Sequence, residues 1–331
     1  MKIFKKIASI ILRVSVSIIL LIFLFRLVDK KNLIEIIKNA DKPLLLIAFL
    51  IFFSSCALAI FRWDMLLKAA RIHLPLKRVI ISSAGGMFFS LFLPSTIGGD
   101  LVRSIDLAAH TKRTHEVVAT VLLDRLSGYI GLVSVALLAV LFGWSFIQEN
   151  TGVLISVAVI TAVLAAVLLI LFNSSLYSRI NKLLQTPSAG KIREFIKDLH
   201  QEMHIFRHHT DIAVNNLLLS LVIQIISPLT FYIIALSIGI KINMFYFFIF
   251  IPIIGAITLL PISIGGLGLR DTITILFFAK AGVSKDMAFA MSLVSFFFIL
   301  MLGMTGGIIY ALTVRHRRIQ YHKPHSVHHS L

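Results

Sequence analysis

A single cysteine, Cys56, leaves the 331-residue chain without an intrachain disulfide or a Cys-x-x-Cys redox or zinc signature. Charge is also scarce. Charged residues make up 14% of the chain, well below the roughly 25% of an ordinary soluble domain, so a water-soluble globule is excluded. No H-E-x-x-H or G-x-S-x-G occurs, and neither of two glycine clusters is followed by Lys-Ser or Lys-Thr. Metalloprotease, hydrolase and phosphate-loop chemistry therefore lack their signatures, and no metal, cofactor or catalytic residue is expected.

Apolar runs fill the remaining space. Hydrophobic residues are 58% of the chain, and Ile7–Val28, Leu44–Phe61, Val117–Gly143, Gly152–Phe172 and Ile212–Ile238 each reach a length near the roughly 20 residues that span about 30 Å of hydrocarbon. The longest polar stretch, residues 173–211, is small for an independent core. A single integral membrane domain over 1–331 follows, all-α, ending in a disordered basic tail at 316–331. The first segment has a basic start and no small-x-small cleavage site, so it reads as a retained helix.

Acidic residues number 15 against 32 Lys and Arg, giving a net charge of +17. The basic residues are dispersed among short loops rather than gathered on one face, so they report topology and not nucleic acid. With both termini cytoplasmic, 21 of the 32 fall on that side and 8 outside. This reading places the protein in the cell (inner or plasma) membrane as a multi-pass chain.

Within this chain LPSTIGGDLVR at Leu93–Arg103 returns as LPISIGGLGLR at Leu260–Arg270, without a gap and 167 residues on. The offset is half the chain. It defines repeats over about 44–143 and 212–312, and with each motif taken as a re-entrant hairpin, about 79–110 and 244–281, entering from opposite faces, the charge bias supports this orientation. The expected architecture is about six full transmembrane helices plus two re-entrant helical hairpins in inverted halves. Val79–Leu93, as a helix, is about 22 Å long, short of the hydrocarbon thickness. The other reading is a tilted spanning helix with the motif as an external turn.

Proline at 94 and 261 ends each preceding helix, and the Gly98–Gly99 and Gly265–Gly266 pairs admit conformations closed to other residues. Amides left unpaired there cost several kcal/mol in hydrocarbon unless protein, water or ligand satisfies them. Ser95, Thr96 and Ser263 add hydroxyls; Arg103 and Arg270 add cationic forks. Together with Asp100 these form a candidate cradle for the phosphate of an anionic lipid head group. A purely architectural reading pairs Arg103 with Asp100 or Asp106 and Arg270 with Asp271. Asp100 becomes Leu267 in the second copy, so the two cradles differ in charge.

Asp124 and Arg125 in VLLDRLSG lie inside a helix, where an isolated carboxylate is expensive; they offer either a coupling site or a structural ion pair. Phe61–Arg78 reads as an interfacial helix with Trp63 at head-group depth. His200, His204 and His208 share a helical face in the 173–211 loop without a completed metal set. Gly303 and Gly307 form a G-x-x-x-G suited to close helix packing.

The RW pair after the second helix, LPSTIGGDLVR, VLLDRLSG, PISIGGLGLRD and GGIIYAL together resemble the lysylphosphatidylglycerol synthase transmembrane-region family over about residues 5–315. The resemblance implies the membrane module of the multiple peptide resistance factor, regarded as a lipid flippase and joined there to a soluble aminoacyl-transferase domain. A chain ending at Leu331 has no room for that domain. The expected function is a flippase-like lipid translocase holding an anionic phospholipid or polyprenyl-phosphate-linked lipid between its halves. The alternative is a membrane-embedded enzyme or accessory subunit in lipid-linked sugar or aminoacyl-lipid synthesis, with Asp100, Asp106 and Asp124 as its carboxylates. A separate synthase or glycosyltransferase is a further expected partner.

Overall fold

A computed structural model describes residues 15, 17–93, 97–172, 210–259, 263 and 265–321, with side chains up to Thr313. Ser95, Thr96, residues 173–209 with the three histidines of that loop, and residues 322–331 lie outside this set. The described residues are helical throughout, with no strand. In chain order the helices are α1 (Ser17–Leu27), α2 (Lys30–Lys38), α3 (Lys42–Ala69), α4 (Leu76–Ser90), α5 (Ile97–Thr111) and α6 (Thr114–Phe142). They continue with α7 (Trp144–Ile147), α8 (Thr151–Phe172), α9 (Thr210–Ser237), α10 (Met244–Thr258), α11 (Leu269–Ala279) and α12 (Lys285–Tyr321).

Five of these, α3, α6, α8, α9 and α12, are long and apolar enough to cross a bilayer. The first expected span lies partly outside the described residues, and α1 is its visible part. The chain is inside-out relative to a soluble protein: only 11% of the apolar stretch of α8 is buried, and Leu50, Phe142, Leu169 and Leu312 face outward. Such a surface suits a hydrocarbon solvent.

Local chemistry sets the helix starts. Asp41 caps α3 by accepting from Leu44 N at 3.0 Å, with Pro43 in the first turn, and Asn243 caps α10 by accepting from Phe245 N. α3 runs on past Phe61, so the expected interfacial helix is absent. Residues 62–69 continue the span, and Trp63 is fully buried rather than at head-group depth. Arg62, Asp64 and Lys68 lower the hydropathy there, but Arg62 and Lys68 are each paired with a carboxylate, so the helix has no reason to stop.

The helix pattern repeats. α3 and α9 each have 28 residues, and α4 and α10 each have 15. Asp41 N donates to Ser237 O, while Asn216 Nδ2 at the other end of the pair donates to Arg62 O, so α3 and α9 run antiparallel. α4 and α5 form an antiparallel hairpin, held by Arg78 to Asp106 at its base and by Ser82 Oγ to Arg103 O further up. α10 and α11 form the second, through Phe247 and Phe250 against Phe278. The hairpins meet at their tips, where Gly265, at φ +57°, lies against the Ser90 and Leu91 carbonyls.

The first hairpin also packs on α12 through glycines. A Cβ on Gly306 would lie 2.7 Å from the Ala84 carbonyl oxygen, and Gly303 and Gly307 sit against Leu91 and Phe88. Gly306→Leu should therefore force α12 off α4 and cost about 1–3 kcal/mol, read as a lower midpoint of thermal unfolding in detergent. An unchanged midpoint would show that the helices can separate freely.

Candidate functional site

Where α3, α4, α5 and α6 converge, with α9 and α10 closing the far wall, they enclose a cavity of about 400 Å3. Its polar lining comes mainly from the first half of the chain: Arg62, Ser83, Asp100, Arg103, Asp124 and Arg125, with Gln224 from α9. Small residues make the room. Gly86 and Gly99 let α4 and α5 touch, since a Cβ on Gly99 would sit 2.2 Å from the Gly86 carbonyl oxygen. Gly128 leaves α6 open beside the Arg62 guanidinium.

The charges form one chain. Arg62 Nε donates to Asp124 Oδ1 at 2.8 Å, Arg103 Nη2 donates to Asp124 Oδ2 at 2.9 Å and pairs with Asp100 Oδ1 at 3.0 Å, and Arg125 Nε donates to Asp100 Oδ2. Three arginines thus meet two aspartates, leaving one positive charge that the carboxylates do not cancel. Arg62 is fixed further by donation to Ser220 Oγ, and Arg103 lies with its guanidinium carbon 4.4 Å from the Trp63 ring centroid. Trp63 is held in turn by donation to Thr120. Both carboxylates are therefore engaged on both oxygens, whereas Arg103 Nε and Ser83 Oγ are buried without a hydrogen-bond partner among the described residues. Such groups in a membrane interior cost free energy that a ligand acceptor would recover.

Gly99, Asp100 and Arg103 of the first motif come together with Asp124 and Arg125 in this cavity, with Gly98 alongside on α5, packed towards Leu93. The second motif is placed differently. Arg270 does not line the cavity; it donates to Asp271 and to the Ser292 carbonyl and lies near the Phe296 ring. Asp271, fully buried, accepts from Gly268 N and from Ser292 Oγ. A protein carboxylate thus takes the Gly268 amide, two residues past Gly266, where the first copy has Ser104 at the position of Asp271. Ser263 is buried near this loop.

Sequence reasoning missed Arg62, Ser83 and Gln224. Arg62 carried a usable signal, since an arginine one residue beyond an apolar run can pair with the isolated Asp124. Ser83 and Gln224 carried none, because their place depends on how the two halves dock. Among the described residues no group of His, Cys, Asp and Glu is arranged to hold a metal ion.

The profile of the lysylphosphatidylglycerol synthase TM region matches residues 10–307, nine-tenths of the chain. The chain belongs to that family. Among curated relatives, a UPF0104 membrane protein of Methanothermobacter thermautotrophicus is 23% identical over 301 residues, 85% of this chain and 88% of its own. A UPF0104 membrane protein of Pyrococcus horikoshii is 23% identical over 327 residues, 90% and 95%. The matched regions thus cover most of both relatives' length. Membrane location follows from the family and the helices together.

Proposed function

We propose that this family member binds the anionic head group of a membrane lipid in the α3–α6 cavity and moves it between leaflets. The observation that carries the reading is the uncancelled positive charge of Arg62, Arg103 and Arg125 over Asp100 and Asp124, in a cavity inside an apolar bundle. A monoanionic phosphodiester supplies one negative charge and several acceptor oxygens, matching the surplus charge and the Arg103 and Ser83 donors. Two packed hairpin tips beside Ser90, which lines the cavity, support the reading, because translocating membrane proteins build their sites at broken elements. The excess of basic residues supports a cytoplasmic side for the end where α3 stops and α6 starts.

Leaflet exchange in proteoliposomes tests this. Phosphatidylglycerol labelled in one leaflet should equilibrate several-fold faster with protein than in protein-free vesicles, and faster than phosphatidylcholine. Equal rates with and without protein, for phosphatidylglycerol, its aminoacylated form and polyprenyl phosphates alike, would overturn the proposal.

A further inference from the structure

A second depression, of about 260 Å3, runs along the same three helices that close the polar cavity. Its walls are almost wholly apolar: Val135, Leu138 and Phe142 of α6, Ile225 of α9, and Phe245 and Phe248 of α10. On α6 and α10 it begins where the cavity ends: Leu132 lines the cavity and Val135, nearly one turn on, lines the groove, while on α9 the two lie side by side, with Gln224 facing the cavity and Leu221 and Ile225 the groove. α10 runs antiparallel to α6, with Gly255 opposite Leu132 and Phe245 beside Gly143, so both helices carry the groove from the cavity to the end of the bundle where α6 stops. Leu138, Phe142, Ile225 and Met244 are exposed, so the groove is open to lipid along its length.

From Leu132 to Phe142 the helical rise is about 15 Å, half of the roughly 30 Å hydrocarbon thickness. A polar, positively charged compartment next to an apolar trough about one leaflet long has the division of an amphiphile. We infer that the groove holds one hydrocarbon chain of the lipid whose head group sits in the cavity. The tail points toward the end where α6 stops and the head faces the end where α3 stops. A lipid drawn from the leaflet at the α3-terminal end would take this pose directly, its tail leading. The inference rests on the head-group reading above.

Photo-crosslinking separates the two. Phosphatidylglycerol carrying a diazirine at the chain terminus should label peptides containing Phe142 and Met244–Phe248, whereas a diazirine beside the head group should label Cys56–Arg62 and Asp124–Leu132. Leu138→Trp, at an outward-facing position that should tolerate bulk, should cut chain-terminal labelling about tenfold, the loss expected when roughly 1.4 kcal/mol of chain contact is removed. Chain-terminal labelling spread evenly over α8 and α12, or unaffected by Leu138→Trp, would overturn the groove while head-proximal labelling left the cavity standing. Loss of head-proximal labelling in the wild type would instead overturn the head-group reading.

Discussion

Asp124→Ala should destabilise the protein more than any other single substitution at the cavity. Asp124 is the one carboxylate shared by Arg62 and Arg103, through separate oxygens at 2.8 and 2.9 Å, and all three side chains are largely buried. Removing it leaves two guanidinium groups in a low-dielectric interior with their best partner gone. Breaking a buried pair by deleting one member costs about 3–5 kcal/mol, most of it from the charge left behind. The measurement is thermal or denaturant unfolding in detergent micelles, with Arg62→Leu plus Asp124→Leu as the control. Because the double variant removes a charge of each sign, it should be more stable than Asp124→Ala alone. A double variant as damaged as the single one would show that the cost lies in packing and not in the unpaired arginine.

Arg103→Ala should abolish preference for anionic lipid. Arg103 joins the two aspartates, rests on Trp63, and has its Nε buried without an acceptor among the described residues. Its loss brings the cavity from three cations against two anions to an even balance, so the electrostatic reason to choose phosphatidylglycerol over phosphatidylcholine disappears. A hydrogen bond to a charged group contributes about 1.5–3 kcal/mol, so binding of phosphatidylglycerol should weaken by roughly tenfold or more. Arg103→Lys should recover little, because an ammonium cannot bridge Asp100 and Asp124 and still offer a planar fork to a third acceptor. Lipid binding by native mass spectrometry, with phosphatidylglycerol and phosphatidylcholine in competition, reads both variants. A preference retained in Arg103→Ala would place the selecting charge elsewhere.

How far the sequence reveals this arrangement depends on the range of each interaction. The membrane character, the helical class and the pair of glycine-rich elements follow from composition and from one repeated string. That α4 is short follows from the spacing, but its bounds do not: Val79–Leu93 is expected and Leu76–Ser90 is found, three residues earlier. Gly99, Asp100 and Arg103 are legible because a motif gathers them locally. Arg62 is half legible: hydropathy assigns a lone arginine to a loop, whereas it lies within α3 and pairs with Asp124, 62 positions away. The difference between the two motif copies is half legible: the change from Asp100 to Leu267 shows that they diverge. Asp271 takes the Gly268 amide three residues before it and also accepts from Ser292, which no local pattern connects to it.

A density map of the protein in nanodiscs containing phosphatidylglycerol tests the central claim most directly. The account predicts a phosphate within hydrogen-bonding distance of Arg103 Nε and Ser83 Oγ, with a hydrocarbon chain running along α6 past Val135 towards Phe142. Phosphatidylglycerol bound only on the outer faces of α8 and α12, with the Arg62–Asp124–Arg103–Asp100–Arg125 chain unchanged and no phosphate beside it, would contradict it.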